Sequence, residues 1–169
     1  MSLQLKSYKT TFRKVFYIDV DRCIDCKSCE VACAREHKSQ PLIFVQSVGE
    51  YSVPLHCRHC EVNVCIEVCP KEAIEKNELG IVKINEIKCI GCKACIVACP
   101  FGILRLDEVS KVVVKCDLCW ERLEKDLLPI CVLTCPTGAL QFIPCIGCNA
   151  CVAACPFAKS TQLLRGKEG

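Results

Sequence analysis

Short hydrophobic segments recur along this chain and predict strands rather than long helices. Four segments are rich in β-branched or aromatic residues and stop at turn residues or cysteines, as short strands do. They cover residues 15–19, 81–84, 111–115 and 139–143. Residues 41–54 indicate a hairpin or a packed loop around Gly49. No apolar run reaches the length of about 18 residues that a membrane-spanning helix needs, so we expect no direct membrane insertion.

Groups of cysteine alternate with these segments. The 169 residues include 20 cysteines, all in quartets that begin roughly every thirty residues, and this internal repeat sets the architecture. The five quartets are Cys23-Cys26-Cys29-Cys33, Cys57-Cys60-Cys65-Cys69, Cys89-Cys92-Cys95-Cys99, Cys116-Cys119-Cys131-Cys135 and Cys145-Cys148-Cys151-Cys155. Four of them end in Cys-Pro, at Pro70, Pro100, Pro136 and Pro156. Proline is tolerated in a first helical turn, so short helices are predicted to begin after Pro70, Pro100 and Pro136.

The spacing within the quartets indicates iron–sulfur chemistry. The run C-x2-C-x2-C-x3-C-P is complete at 89–100 and at 145–156. It is the ferredoxin spacing, in which the fourth cysteine ligates the other cluster of a pair. Zinc is the first alternative, and only the 116–135 quartet has the widely separated pairs typical of a zinc site. Disulfides are the second, but residues 1–20 have no signal-peptide pattern, so we expect a cytoplasmic protein with free thiols.

The charge of the loaded protein disfavours nucleic acid as a partner. The formal net charge is +3. A cubane with four thiolates carries about −2, so four clusters would bring the net charge to about −5 and five to about −7. Aromatic residues make up only 6% of the chain, so platforms for base stacking are also scarce.

The order of the quartets resembles a known family. The supporting stretches are CIDCKSCEVACAREH (23–37), HCRHCEVNVCIEVCP (56–70), CIGCKACIVACPFG (89–102), KCDLCWERL (115–123) and CVLTCPTGAL (131–140). They resemble the four-cluster [4Fe-4S] ferredoxin-like electron-transfer subunits of molybdenum and tungsten oxidoreductases, formate-linked hydrogenases and CO dehydrogenases. The resemblance covers about residues 13–142 and implies an α+β fold with tandem, interleaved 2[4Fe-4S] ferredoxin-like lobes and a C-terminal extension. It also implies that the chain passes electrons and is not itself catalytic.

The resemblance implies a swapped set of iron ligands. Each cluster would take three cysteines from one quartet and the fourth from another. The sets would be Cys23, Cys26, Cys29 and Cys135; Cys116, Cys119, Cys131 and Cys33; Cys57, Cys60, Cys65 and Cys99; and Cys89, Cys92, Cys95 and Cys69. Residues 13–40 with 111–142 would form an outer two-cluster lobe, residues 41–110 an inner lobe, and residues 143–169 the extension.

The resemblance also suggests the type and number of clusters and, through their potentials, the partners. Cys92 occupies the position at which some relatives lack cysteine and hold a three-iron cluster, so we expect only [4Fe-4S] clusters, four in number with a fifth in the last quartet as an open alternative. All-cysteine ligation favours low reduction potentials. Such potentials suit a catalytic oxidoreductase subunit of the aldehyde, formate, CO or hydrogen type, with ferredoxin or another carrier as the redox partner.

Other polar and aromatic residues have plainer interpretations. We interpret His37, His56 and His59 as surface residues or hydrogen-bond donors near sulfide rather than ligands. Trp120 either shields a cluster from water or is an ordinary packing aromatic. Lysines near the quartets, at 27, 88 and 93, either raise cluster potentials or are solvated surface groups. No nucleophile–base pair or phosphate-binding glycine loop is evident.

The fifth quartet, CIGCNACVAACPF, nearly copies the third and has no partner in the four-cluster pattern. A second copy of the chain, or a partner subunit, could complete it in trans. Alternatively it holds a self-contained cluster, or none. If it is completed in trans, residues 143–169 mediate self-association, and the alternative function is an assembly subunit that links protomers into dimers or filaments.

Replacing Cys155 tests completion in trans. If two copies exchange this cysteine, the Cys155→Ser chain should lose iron from the fifth quartet and dissociate to a smaller species. Light scattering and iron analysis of the full chain measure both effects. Unchanged size and unchanged iron would rule the exchange out.

Overall fold

A computed structural model describes residues 14–144, with short helices and strands alternating along the chain. The fifth quartet and most of the predicted C-terminal extension therefore lie outside the described residues. The elements are β1 (Lys14–Ile18), α1 (Ser28–His37), β2 (Phe44–Val48), β3 (Tyr51–Leu55), α2 (Val64–Glu67), β4 (Ile74–Lys76), β5 (Val82–Ile84), α3 (Ala94–Ala98), β6 (Arg105–Leu106), β7 (Val113–Val114), α4 (Trp120–Leu123), α5 (Ile130–Leu133) and β8 (Leu140–Pro144). A single 3₁₀ turn, Val20–Arg22, follows β1.

The strands of the described part form four antiparallel pairs: β1 with β8, β2 with β3, β4 with β5, and β6 with β7. Three pairs are local, whereas β1 and β8 join the two ends of the described residues, with Ile18 opposite Leu140. The helix pairs repeat this arrangement, because α1 packs on α5 and α2 packs on α3. Consequently the first and fourth quartets lie together, and so do the second and third.

Two apolar clusters surround the quartets. The larger one combines side chains such as Phe16, Ile43 and Leu118 with five buried cysteines. The smaller one contains Ile74, Val82, Leu104 and Val113 together with Cys95. Cysteine side chains therefore form part of both cores, and further cysteines pack against them.

The predicted strands agree with the observed ones to within a few residues, and residues 41–54 contain the β2–β3 hairpin with Gly49 at its turn. The predicted helix starts after Pro70, Pro100 and Pro136 are wrong. Turns follow these prolines, and the helices α2, α3 and α5 end before them. The residue before a proline is disfavoured in the helical conformation, so Cys-Pro ends a helix here instead of beginning one.

The loops of the first and third quartets share a backbone conformation. Asp25 and Lys27 in the first loop and Gly91 and Lys93 in the third all have φ between 57° and 65°. These left-handed residues curl each loop and lead directly into α1 and α3, each of which carries the third cysteine of its quartet. Aspartate tolerates this conformation, but the third loop has a glycine at the equivalent position.

Position 91 requires glycine for a steric as well as a conformational reason. A Cβ atom built on Gly91 would overlap the carbonyl oxygen of Lys111, whereas one built on Gly49, at a similar φ, meets nothing within 4 Å. The third loop therefore packs directly against the backbone that precedes β7.

Substitution of Gly91 and Gly49 by alanine separates the strain of a positive φ from the clash with Lys111. We expect Gly91→Ala to destabilise the loaded protein by about 1–3 kcal/mol, because strain at positive φ and the clash with Lys111 combine. The control Gly49→Ala should cost about 1 kcal/mol or less. Thermal unfolding of the full chain measures both, and equal losses would contradict the close approach of the loop.

Candidate metal centres

The first group of thiols lines one cavity. Cys23, Cys26 and Cys29 of the first quartet and Cys135 of the fourth all face it. Burial, followed by the charge of Glu30, raises the pKa of Cys29 to about 11, and Cys26 and Cys23 contribute to this shift. Burial also raises the pKa of Cys135, but hydrogen bonds from the Leu140 N–H and other donors outweigh it, so this pKa lies below its ordinary value.

The third quartet forms the same kind of arrangement around a second cavity. Cys89, Cys92 and Cys95 line it together with Cys69, which belongs to the second quartet. Burial raises the pKa of Cys95 to about 11, and the charges of Cys69, Cys89 and Cys92 add to the effect. The four sulfur atoms are thus near enough to influence one another.

The second quartet gathers around a cysteine of the third. Burial raises the pKa of Cys60 and of Cys65, and Cys57 and Cys99 raise both further. The charge of Lys115 acts on Cys65 in the opposite direction. Cys57, Cys60, Cys65 and Cys99 therefore form one electrostatic group.

Three cysteines of the fourth quartet form a group with Cys33 of α1. Burial raises the pKa of Cys119 to about 12, and Asp117 and Cys33 add to it. Burial likewise raises the pKa of Cys131 and of Cys116, helped at Cys131 by Cys119 and Cys33 and at Cys116 by Cys131. The sixteen described cysteines thus fall into four groups, each with three members from one quartet and one from another.

Backbone N–H groups donate to several of these sulfurs. His59 N–H lies 3.5 Å from Cys57 Sγ, and Leu118 N–H lies 3.4 Å from Cys116 Sγ. Both donors have positive φ, so the same backbone turn directs an N–H at the first cysteine of the second quartet and of the fourth. Further donors reach Cys33, Cys69 and Cys89 at 3.3–3.4 Å. Hydrogen bonds to sulfur stabilise thiolate and help set the potential of an iron–sulfur cluster.

The four thiols of each group fit an iron–sulfur cluster as ligands. None of the sixteen described cysteines forms a disulfide, although they lie in groups of four. Burial disfavours a lone thiolate, as the raised pKa values show, whereas a metal ligand must be deprotonated. Iron ions placed within each group would supply the positive charge that makes four neighbouring thiolates stable.

The histidines lie nearer the quartets than expected for surface residues. His56 is buried, its Nδ1–H donates to the Cys57 carbonyl oxygen over 2.8 Å, and burial lowers its pKa to about 4. His59 is also buried, and its Nδ1 accepts the Val82 N–H at 2.9 Å. His37 Nε2 lies 3.5 Å from Cys119 Sγ, which fits the predicted role of a hydrogen-bond donor.

His37 also lies near Asp117, 3.8 Å away, so His37, Asp117 and Cys119 could hold a metal ion. Because Cys119 belongs to the fourth group of thiols, these residues are part of that centre and not a separate one.

The other predicted residues divide into paired and exposed ones. Lys27 Nζ donates to the Val45 carbonyl oxygen and pairs with Asp25 at 2.8 Å. Lys88 and Lys93 are exposed. Trp120 packs against the larger apolar cluster, with Lys83 Nζ 4.9 Å from its ring centroid.

Sequence reasoning missed Lys115, which is buried directly before a cysteine of the fourth group. The available signal was a lysine that follows three consecutive valines at the end of the strand predicted over residues 111–115.

Comparisons with known proteins agree with this chemistry. Residues 48–145 match the family described as 4Fe-4S dicluster domain, and residues 20–36 and 144–158 match one described as 4Fe-4S binding domain. The sequence is 36% identical to a component of the anaerobic dimethyl sulfoxide reductase of Escherichia coli, over 76% of this chain and 72% of that protein. It is 36% identical to a tetrathionate reductase subunit of Salmonella typhimurium, over 75% and 56%. Identity with the formate dehydrogenase iron-sulfur subunit of Haemophilus influenzae is 34%, over 82% and 53%.

Proposed function

Because this chain is a member of the 4Fe-4S dicluster domain family, we propose that it is a non-catalytic electron-transfer subunit with four [4Fe-4S] clusters in series. The family and the kind of cofactor predicted from the cysteine spacing are confirmed. The observation that carries the proposal is the gathering of the sixteen described thiols into four mixed groups. The relatives favour electron transfer over the alternative of an assembly subunit.

Each mixed group would hold one cluster. The ligand sets are Cys23, Cys26, Cys29 and Cys135; Cys33, Cys116, Cys119 and Cys131; Cys57, Cys60, Cys65 and Cys99; and Cys69, Cys89, Cys92 and Cys95. A bound cluster supplies one-electron redox chemistry, and the chain's own residues hold it, exclude water and donate hydrogen bonds to its sulfurs.

Contacts between groups support a linear order. Cys29 is among the residues that raise the pKa of Cys131, after burial, which indicates that the first and fourth groups are neighbours. Cys57 does the same for Cys116, which relates the fourth group to the second. Helices α2 and α3 pack together and carry Cys65 and Cys95, which relates the second group to the third. The order we propose is therefore first, fourth, second, third.

The burial of the thiols agrees with this order. Cys26 in the first group and Cys92 in the third are exposed, whereas no thiol of the second or fourth group is. Electrons would therefore enter and leave near Cys26 and Cys92. The inner two clusters would relay electrons without contact with a partner.

The same contacts support two interleaved lobes. The β1–β8 pair and the α1–α5 contact join residues 13–40 to residues 111–142 as an outer lobe. The α2–α3 contact and the β4–β5 pair lie in residues 41–110, the inner lobe. Each lobe would hold two clusters that exchange their fourth ligand.

A catalytic oxidoreductase subunit is the natural partner at one end of the series, and a redox carrier such as ferredoxin at the other. Relatives are named as components of reductases for dimethyl sulfoxide and tetrathionate and of a formate dehydrogenase. One such module therefore serves enzymes with different substrates. None of the helices within residues 14–144 is long and apolar enough to cross a membrane.

Iron content tests the function. The full chain, purified without oxygen, should contain about sixteen iron atoms or more, with as much acid-labile sulfide. Its broad absorbance at about 400 nm should bleach with dithionite and return when an oxidised carrier protein accepts the electrons. A stable zinc-loaded protein with little iron would overturn the proposal.

Reciprocal substitutions test the exchange of ligands. Cys99→Ser should damage the cluster held by Cys57, Cys60 and Cys65 and spare the one held by Cys89, Cys92 and Cys95. The matched variant Cys69→Ser should do the opposite. Electron paramagnetic resonance of the reduced proteins distinguishes the two losses. If each substitution instead removed the cluster of its own quartet, the exchange would be wrong.

A further inference from the structure

Lys115 is buried in the protein interior with only 5% of its surface exposed. Among residues 16–142, whose burial is described, the other buried polar side chains are the two histidines His56 and His59. Lysine is almost never fully buried without a charged partner, because removal of the ammonium group from water is costly. The position of this charge therefore requires a physical reason.

The contacts made by the ammonium group do not provide a counter-ion. Lys115 Nζ donates to the carbonyl oxygen of Val82 and, at 3.0 Å, to that of Cys116. Both acceptors are neutral, and no carboxylate of the described residues forms an ion pair with Lys115. The hydrogen bonds fix the position of the charge but do not balance it.

Strand β5 and the start of the fourth quartet hold the ammonium group in place. Val82 accepts from Lys115 through its carbonyl oxygen, and its N–H donates to Nδ1 of His59, which lies between Cys57 and Cys60. The other acceptor belongs to Cys116, the first cysteine of the fourth quartet. Val82 also packs in the apolar cluster that contains Cys95 and against which Cys65 lies, and the charge of Lys115 is among those that lower the pKa of Cys65. The charge thus lies between the second and the fourth groups of thiols, the inner pair.

We propose that Lys115 is the buried counter-charge of the inner clusters and raises the reduction potential of the cluster held by Cys57, Cys60, Cys65 and Cys99. The reduction adds one electron and neither forms nor breaks a bond. With four thiolates, the net charge of the cluster changes from about −2 to about −3. A fixed positive charge at short range stabilises the more negative state, and it does so more strongly inside a protein than in water.

This inference rests on the proposed cluster series and adds a functional asymmetry to it. The cluster beside Lys115 would be reduced more readily than it would be without this charge. An electron that enters at either end would therefore find a favourable site in the interior. Lys115 would act through the cluster as a positioning residue and would not itself accept an electron.

The test uses the full, anaerobically loaded chain and three substitutions. Lys115→Met keeps the length of the side chain and removes the charge, and Lys115→Arg keeps the charge. Lys83→Met is the control, since Lys83 lies in β5 beside Val82 and its ammonium group lies 4.9 Å from the centroid of the Trp120 ring. Redox titration followed by electron paramagnetic resonance measures the midpoint potential of each cluster.

We expect Lys115→Met to lower the midpoint potential of one cluster, while Lys115→Arg and Lys83→Met leave it near the wild-type value. The shift should persist at high salt, because mobile ions screen buried charges poorly. In the Cys99→Ser background, where the affected cluster is damaged, this shift should be absent. Unchanged potentials in Lys115→Met with full iron content would overturn the inference, and so would an equal shift in Lys83→Met.

Loss of clusters in Lys115→Met is also informative. If the Met variant fails to load while Lys115→Arg loads fully at wild-type potentials, the charge itself is required, and the inference stands. If Lys115→Arg also fails to load clusters, loading depends on the shape of the side chain and not on its charge, and the inference is wrong. Failure of the cluster series as such is a separate result, because it would show in the iron content and dithionite bleaching of the wild-type chain.

Discussion

A buried thiolate is stable only beside positive charge or hydrogen-bond donors, and this constraint governs the chain. Burial raises the pKa of eight of the sixteen described cysteines. The surrounding elements are weak by themselves, since α2–α5 have four or five residues and every described sheet has two strands. Helices and hairpins of this size are marginal in water. We therefore expect the binding free energy of the clusters to supply much of the folding free energy.

The periodic features of the chain could be predicted from its sequence. Short β-branched segments correctly predicted β1, β5, β7 and β8, and Gly49 marked the β2–β3 hairpin. The cysteine spacing predicted the cofactor, because a cluster needs four sulfurs at fixed distances and few arrangements of the chain satisfy this. The helix starts were wrong because the tolerance of proline in a first turn was weighed without its effect on the preceding cysteine.

Burial of single polar residues could not be predicted in the same way. His56 and His59 have no periodic pattern around them, and the valines before Lys115 predict a strand but not the burial of a charge. His59 and Lys115 approach Val82 from loops 23 and 33 residues away in sequence. Only the assembled fold shows that the backbone of Val82 holds both side chains.

The pairing of β1 with β8 affects the order in which the protein can form. Strand β1 leaves the ribosome well before its partner, residues 140–144, which follows more than a hundred residues later. Cys135, which lines the same cavity as the first quartet, is synthesised almost as late. The β2–β3 and β4–β5 pairs lie within residues 44–84 and can form before then. The first quartet can be fully enclosed only after β8 and Cys135 have been synthesised.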